Sequence, residues 1–321
     1  MIHARLVLWK GGAASLLLAL LLAFPVACDR ASDPEPEPEP EDPNILVAHP
    51  LTVTATAEQE LLNELNQSVA PLADGGFAVI WARGDSLGAC GILTQWFDAQ
   101  GNARRPAGPV KVNDPPDLAG DAVVIAREGG GAYAAFSQVH GDAYQVKIQA
   151  FDRDLGPLWG APMRSAIHAG GYESQYEPSL APAPAGGLFV SFYTHSAANG
   201  WGIKCQRIDA DGSRAWGDEG VVLARRYGFV TYPTALADGA DGVYVFWLNL
   251  GNKDAQPAEK AKIEGQHLDA LGNKLWGEEP LVIDEVGGAR PGYAYTDYMA
   301  VADGQGGAIV SWYGDLDPAD E

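Results

Sequence analysis

The sequence predicts an all-β chain, a β-propeller, and three observations carry that prediction. A segment with Gln, Asp, Gly and Trp-Gly at fixed spacing occurs four times. A Gly-rich turn leading into an alternating strand that ends in an aromatic occurs five times. The two landmarks take turns along the chain, as they must if each pair belongs to one structural unit.

The first landmark is clearest in Gln266, Leu268, Asp269, Gly272, Trp276 and Gly277, and again in Gln206, Ile208, Asp209, Gly212, Trp216 and Gly217. An earlier copy reads Gln149, Phe151, Asp152, Gly156, Trp159 and Gly160. The first keeps Gln95, Phe97, Asp98 and Gly101 but has Arg105 in place of Trp. The second landmark ends at Trp81, Phe136, Phe192, Trp247 and Trp312. Before each turn lies another apolar run: Val69–Ala73, Ala122–Ala126, Pro178–Ala181, Thr234–Ala237 and Met299–Ala302. After each Trp-Gly lies a fourth: Val110–Val112, Pro162–Ile167, Val221–Ala224 and Leu281–Ile283. One unit is therefore four short antiparallel strands bounded by Gly, Asp and Pro turns, which is the blade of a propeller.

Strands one and two have five copies, and strands three and four have four. A two-stranded sheet with an open edge is a liability, so the N-terminus is expected to complete the fifth blade. Ile45–Val47 and Leu51–Thr56 alternate suitably, and Ala57–Gln67 reads as a short helix with Leu61, Leu62 and Leu65 on one face. The expected architecture is five blades of four strands over 44–321.

Ahead of the blades, residues 1–27 have the layout of an export signal: Arg5 and Lys10, an apolar run Ala13–Phe24, then Pro25-Val26-Ala27. Residues 28–43 follow as a tether. Cys28 resembles the lipidated first Cys of a bacterial lipoprotein, which implies anchoring in the cell envelope; cleavage by the ordinary signal peptidase would instead release a secreted protein. Asp33–Pro43 alternates Pro with carboxylates and is expected to be stiff and extended.

The formal net charge of −21 disfavours nucleic acid and anionic membrane surfaces as partners, leaving a lipid anchor as the membrane connection. Loss of residues 1–27 would remove two basic residues and no acidic one. Besides Cys28 there are only Cys90 and Cys205, at non-equivalent places in their repeats, so free thiols are expected.

Recurrence assigns the Asp-x-x-Gly-x-x-x-Trp box to structure, because a catalytic site is needed once. Asp caps the turn, Gly supplies positive φ, and Trp is expected to dock between neighbouring blades. Asp209-Ala210-Asp211 lacks the further oxygens of a calcium shell, so no metal and no cofactor are expected. The box is similar to the Trp-docking hairpin of quinoprotein-type propellers, with the spacing one residue shorter and the Thr absent. It more closely resembles the repeats of an uncharacterised family of bacterial secreted propellers and lipoproteins. Those pair Asp-Gly-x-Gly-Gly-x-x-Val-x-Trp with Gln-Arg-x-Asp-Ala-x-Gly-x-x-x-Trp-Gly, and the likeness covers about Val69–Tyr313. It implies a propeller and an envelope address, and no activity.

Sites are expected on the face carrying the variable connections. Tyr172, Tyr176, Tyr232, Tyr295 and Tyr298 fall just before inner strands, and His195 and Trp201 fall between second and third strands. Flat rings with a polar edge suit a glycan or protein ligand. The main functional expectation is accordingly a non-enzymatic binding or scaffold module. The alternative is a glycan-processing hydrolase, because Asp121, Glu177 and Asp297 all lie at inner-strand starts, where carboxylates would approach the central axis. Their position is like that of the central carboxylates in five-bladed arabinanase-like hydrolases.

Overall fold

A computed structural model describes residues 4–9, 63–84, 90–113, 118–160, 163–167, 173–226, 228–252, 259–286 and 298–313. The chain divides into one compact unit of Met1–Gly11 with Leu61–Glu321 and another of Gly12–Glu60; the latter lies outside the described residues. Cys28, the tether and the two expected edge strands therefore fall outside them as well.

Every described element is a strand, and each repeat closes on itself as an antiparallel meander. After β1 (Ala4–Trp9), the first sheet is β2 (Asn63–Pro71), β3 (Phe77–Gly84), β4 (Cys90–Phe97) and β5 (Val110–Lys111), in that order. The second is β6 (Ala119–Ala126), β7 (Ala132–His140), β8 (Ala143–Phe151) and β9 (Arg164–Ser165). The third is β10 (Ser174–Pro182), β11 (Leu188–Ser196), β12 (Gly200–Ile208) and β13 (Val221–Arg226). The fourth is β14 (Val230–Ala237), β15 (Val243–Asn249), β16 (Ala261–Leu268) and β17 (Leu281–Val286). In the fifth, β18 (Tyr298–Ala302) pairs with β19 (Ala308–Tyr313). The fold is a β-propeller, and the five sheets are the five repeats.

Among the described residues the fifth sheet has three strands where four are expected, the third being β1 from the N-terminus, which runs antiparallel to β19 from Ala4 opposite Tyr313 to Trp9 opposite Ala308. An unpaired edge accepts any apolar segment of strand character within reach. The same residues open the expected export signal, so cleavage after position 27 would expose the β19 edge again. The helix expected over Ala57–Gln67 is corrected by the structure, since Asn63–Gln67 is strand, the first half of β2. Pairing with β3 overrides the local leucine spacing there.

The apolar core lies between sheets rather than inside any one of them. Four clusters of buried side chains each bring together strands of successive repeats. Trp96 and Phe136 share one, Trp159 and Phe192 the next, Phe189 and Trp247 a third, and Phe246 and Trp312 the fourth. Cys205 is buried and free, and burial pushes its thiol well above the ordinary range.

The recurrent box holds the third-to-fourth-strand hairpin. The side-chain Nε2 of Gln206 donates to the Gly217 carbonyl at 2.7 Å, while its Oε1 accepts from the Arg207 and Trp216 amides at 3.0 and 3.1 Å. Gln149 and Gln266 make the same three bonds. Asp152 Oδ1 accepts from the Asp154 and Gly156 amides, and Asp269 Oδ1 from the Leu271 and Asn273 amides. The indole Nε1 of Trp159 donates to Ala210 O in the next repeat at 2.9 Å, and that of Trp216 to Ala270 O at 3.1 Å. The Trp therefore docks across the joint between blades.

Candidate functional site

Four of the inner strands carry a bulge in which two residues face one on the neighbouring strand. Register shifts occur in β2 between Leu65 and Ser68, in β6 between Gly120 and Val123, in β10 between Tyr176 and Ser179, and in β14 between Thr231 and Thr234. The first bulged residue is Asn66, Asp121, Glu177 and Tyr232 in turn. The last three have positive φ, at 55, 49 and 51°. A left-handed backbone at a non-glycine residue costs roughly 1–2 kcal/mol. The same strain at equivalent places in three repeats marks a site over-determined by its surroundings.

A chain of hydrogen bonds links these bulges. The Glu177 amide donates to Asp121 Oδ2 at 3.3 Å. Glu177 Oε2 accepts from the Tyr232 amide at 3.0 Å and from Thr231 Oγ1 at 2.7 Å. The Tyr232 carbonyl accepts from the Tyr298 hydroxyl, which also reaches Thr234 Oγ1 and the Phe246 carbonyl. Each carboxylate thus fixes the next repeat's bulge. Burial raises the Glu177 carboxyl above its usual value, opposed by the Thr231 and Tyr232 donors and reinforced by the nearby negative Asp121.

Beside this pair, aromatic side chains form a continuous ribbon. The Tyr144 ring lies 5.1 Å from Tyr176, and Tyr176 lies 5.1 Å from Tyr193. Tyr193 is 5.7 Å from Trp201, whose ring meets His195 at 4.1 Å. Phe229 closes edge-on against Trp201 at 4.4 Å and Tyr193 at 6.0 Å. All six are partly exposed. Burial pushes the Tyr193 phenol far up, and Glu177 and Asp121 add to the shift, so Tyr193 stays a neutral donor beside the two carboxyls.

The structure brings together Asp121, Glu177, Tyr176, Tyr232, His195 and Trp201 of the expected set. They sit on strands rather than on connecting loops. The bulge breaks the period-two pattern, so the first halves of β10 and β14 read as linker in the sequence. Tyr298 joins the group through a phenol oxygen surrounded by the Tyr232 and Phe246 carbonyls and Thr234 Oγ1, which gives it a structural role. Asp297, Tyr172 and Tyr295 lie outside the described residues. Sequence reasoning missed Tyr193 as a site residue. Its only signal was a position directly after the recurrent aromatic Phe192, on the opposite face of β11.

No protein-family model matches the sequence, and no curated protein sequence matches it. Among solved structures it is similar to a polysaccharide lyase described as an ulvan lyase, with 11% identity and a TM-score of 0.49 over 73% of this chain. This chain spans 61% of the length of that protein. An α-L-arabinofuranosidase from Fusarium graminearum has 12% identity and a TM-score of 0.47 over 81% of this chain and 76% of that one. A Penicillium chrysogenum α-L-arabinanase has 12% identity and a TM-score of 0.48 with the same coverage. These proteins are named for glycan-processing activities. The expectation of a non-enzymatic binding or scaffold module is corrected on a feature of this chain itself. The physical reason within this chain is the half-buried carboxyl pair, one member raised by burial, at the foot of an aromatic surface.

Proposed function

We propose that this chain is a glycan-processing hydrolase whose chemistry is carried by Glu177 and Asp121. The single observation that carries the reading is the difference between the two environments. Glu177 is held partly desolvated with its carboxyl raised, whereas Asp121 supplies the neighbouring negative charge. A carboxyl raised by burial is suited to serve as the acid, and the neighbouring carboxylate as the base.

Glu177 Oε2 is occupied by the Thr231 and Tyr232 donors, which leaves Oε1 to carry the proton. As general acid, Glu177 gives that proton to the glycosidic oxygen as the C–O bond breaks. Asp121, as the base, takes a proton from the water whose oxygen bonds the anomeric carbon and replaces the leaving sugar. The neutral Tyr193 hydroxyl, which feels both carboxyls, is the donor for a sugar oxygen in this reading. The proposal retains export and Cys28 anchoring in the cell envelope, with a glycan as partner; mass spectrometry of the mature N-terminus tests that part.

The direct test is reducing-sugar release from a panel of polysaccharides. Wild type should release ends, and Glu177→Gln and Asp121→Asn should each slow release by about 10²–10⁴-fold. The rate should fall as pH rises through the raised Glu177 value, because the acid must be protonated. Unchanged turnover in both variants, or no release from any polysaccharide, would sink the reading.

A further inference from the structure

We propose that the ribbon on the third blade is a row of subsites for a neutral, chain-like glycan that runs outward from the carboxyl pair. The inference rests on the hydrolase reading for its starting point, the axial carboxyls, and adds the form and charge of the substrate.

The direction comes from strand order. Tyr176 is on inner strand β10, directly opposite Tyr193 on β11, and His195 on β11 is directly opposite Trp201 on β12. Tyr176, Tyr193 and Trp201 therefore step across one sheet from the axis toward its rim, one strand at a time. Glu177 follows Tyr176 in the chain, so the row begins at the proposed acid. Phe229 backs the outer half, in contact with both Tyr193 and Trp201.

The chemistry comes from the rings and the charge. A pyranose or furanose presents a face of C–H groups and a rim of hydroxyls. Half-buried aromatic rings offer the complementary apolar surface, and their polar edges meet the hydroxyls. A single sugar would cover one ring; a row of rings is matched by a row of sugars. The inner end of the row carries the negative Asp121 beside the proposed acid, in a chain of net charge −21, which repels uronate or sulfate groups entering there. The fitting ligand is a neutral oligosaccharide or polysaccharide.

The test is calorimetric binding to the full chain bearing Glu177→Gln, which removes turnover from the measurement. The probes are neutral arabino-, xylo- and manno-oligosaccharides from monomer to hexamer, with oligogalacturonates as the acidic counterpart. At least one neutral series should gain about tenfold in affinity with length before levelling off, and the acidic series should bind more weakly. Trp201→Ala should remove most of the gain, and Trp201→Phe should return part of it. If Trp201→Ala fails to fold, Tyr144→Ala on the second blade gives the same reading from the other side of the pair. Equal affinity for monomer and hexamer, or preference for galacturonate, overturns the proposal. Hydrolysis by wild type without length-dependent binding would remove the subsite row and leave the carboxyl reading standing. Length-dependent binding without wild-type turnover would do the reverse.

Discussion

Three joints between neighbouring blades solve the same packing problem by two opposite means. Where the second repeat meets the third, Trp159 lies flat over Gly212, and a Cβ on that glycine would stand 2.7 Å from the indole. Where the third meets the fourth, Trp216 covers Gly272 in the same way: a Cβ there would stand 3.1–3.2 Å from the indole and 3.0 Å from Val221 Cγ2. Where the first meets the second, the hairpin offers the exposed Arg105 instead of a Trp. The residue opposite it is not glycine but Leu155, with the same left-handed backbone at a φ of 66°. Leu155 is only 7% exposed and packs into the cluster that holds Trp96, Phe136 and Phe151. Trp96, set edge-on to Phe151 at 6.4 Å, supplies from within β4 the large ring that the hairpin lacks. The recurrent Gly is therefore required by the recurrent Trp. Where the ring is missing, a side chain fills the gap and the backbone accepts the strain.

The comparison breaks most sharply at the ring. Trp159→Ala should lower stability by about 3–5 kcal/mol, read from the urea midpoint, because it empties the joint and unties Ala210 O. Gly212→Ala should cost about 2–4 kcal/mol by combining a clash with a left-handed Ala. In a Trp159→Ala background that cost should shrink, and simple additivity of the two would refute the coupling. At the first joint, Leu155→Gly should cost less, about 1–3 kcal/mol, since relief of backbone strain offsets part of the lost burial. Adding Arg105→Trp to Leu155→Gly should restore stability, whereas Arg105→Trp alone should not. A gain from the single change would mean that Leu155 does not occupy the docking place.

The smallest expected effect lies at the axis. Glu177 is raised in the folded protein, so protonation favours the fold. That contribution is complete below the ordinary carboxylate value and is lost as pH rises through the raised one. Glu177→Gln should therefore melt like wild type in acid and above it once pH has passed the raised value. A gap of the opposite sign would mean that the Thr231 and Tyr232 donors outweigh burial.

The first copy of the recurrent box was legible down to its Arg105 departure, but its consequence was not. The sequence reading aligned Gly156 with Gly212, whereas the residue at that turn position is Leu155. A local pattern search prefers the nearest glycine; only backbone conformation shows which residue bears the positive φ. Asp121 and Glu177 were legible because each directly precedes an apolar run, Ala122–Ala126 and Pro178–Ala181. Tyr193 was not, since in sequence it is one more residue of an alternating strand.

By itself, the sequence determined the order of the repeats, the apolar runs at the heart of their strands and the outer hairpins. Those depend on period-two alternation and on turn residues bonded within a few positions, as Asp269 is to Leu271 and Asn273. Tertiary structure decided what joins the fifth sheet, which rings touch, and how two carboxyl groups in different repeats come to differ. These depend on joints between blades, where residues more than fifty positions apart meet, such as Glu177 with Tyr232. Register and burial across such a joint are set by the whole ring of sheets, and no local pattern encodes them.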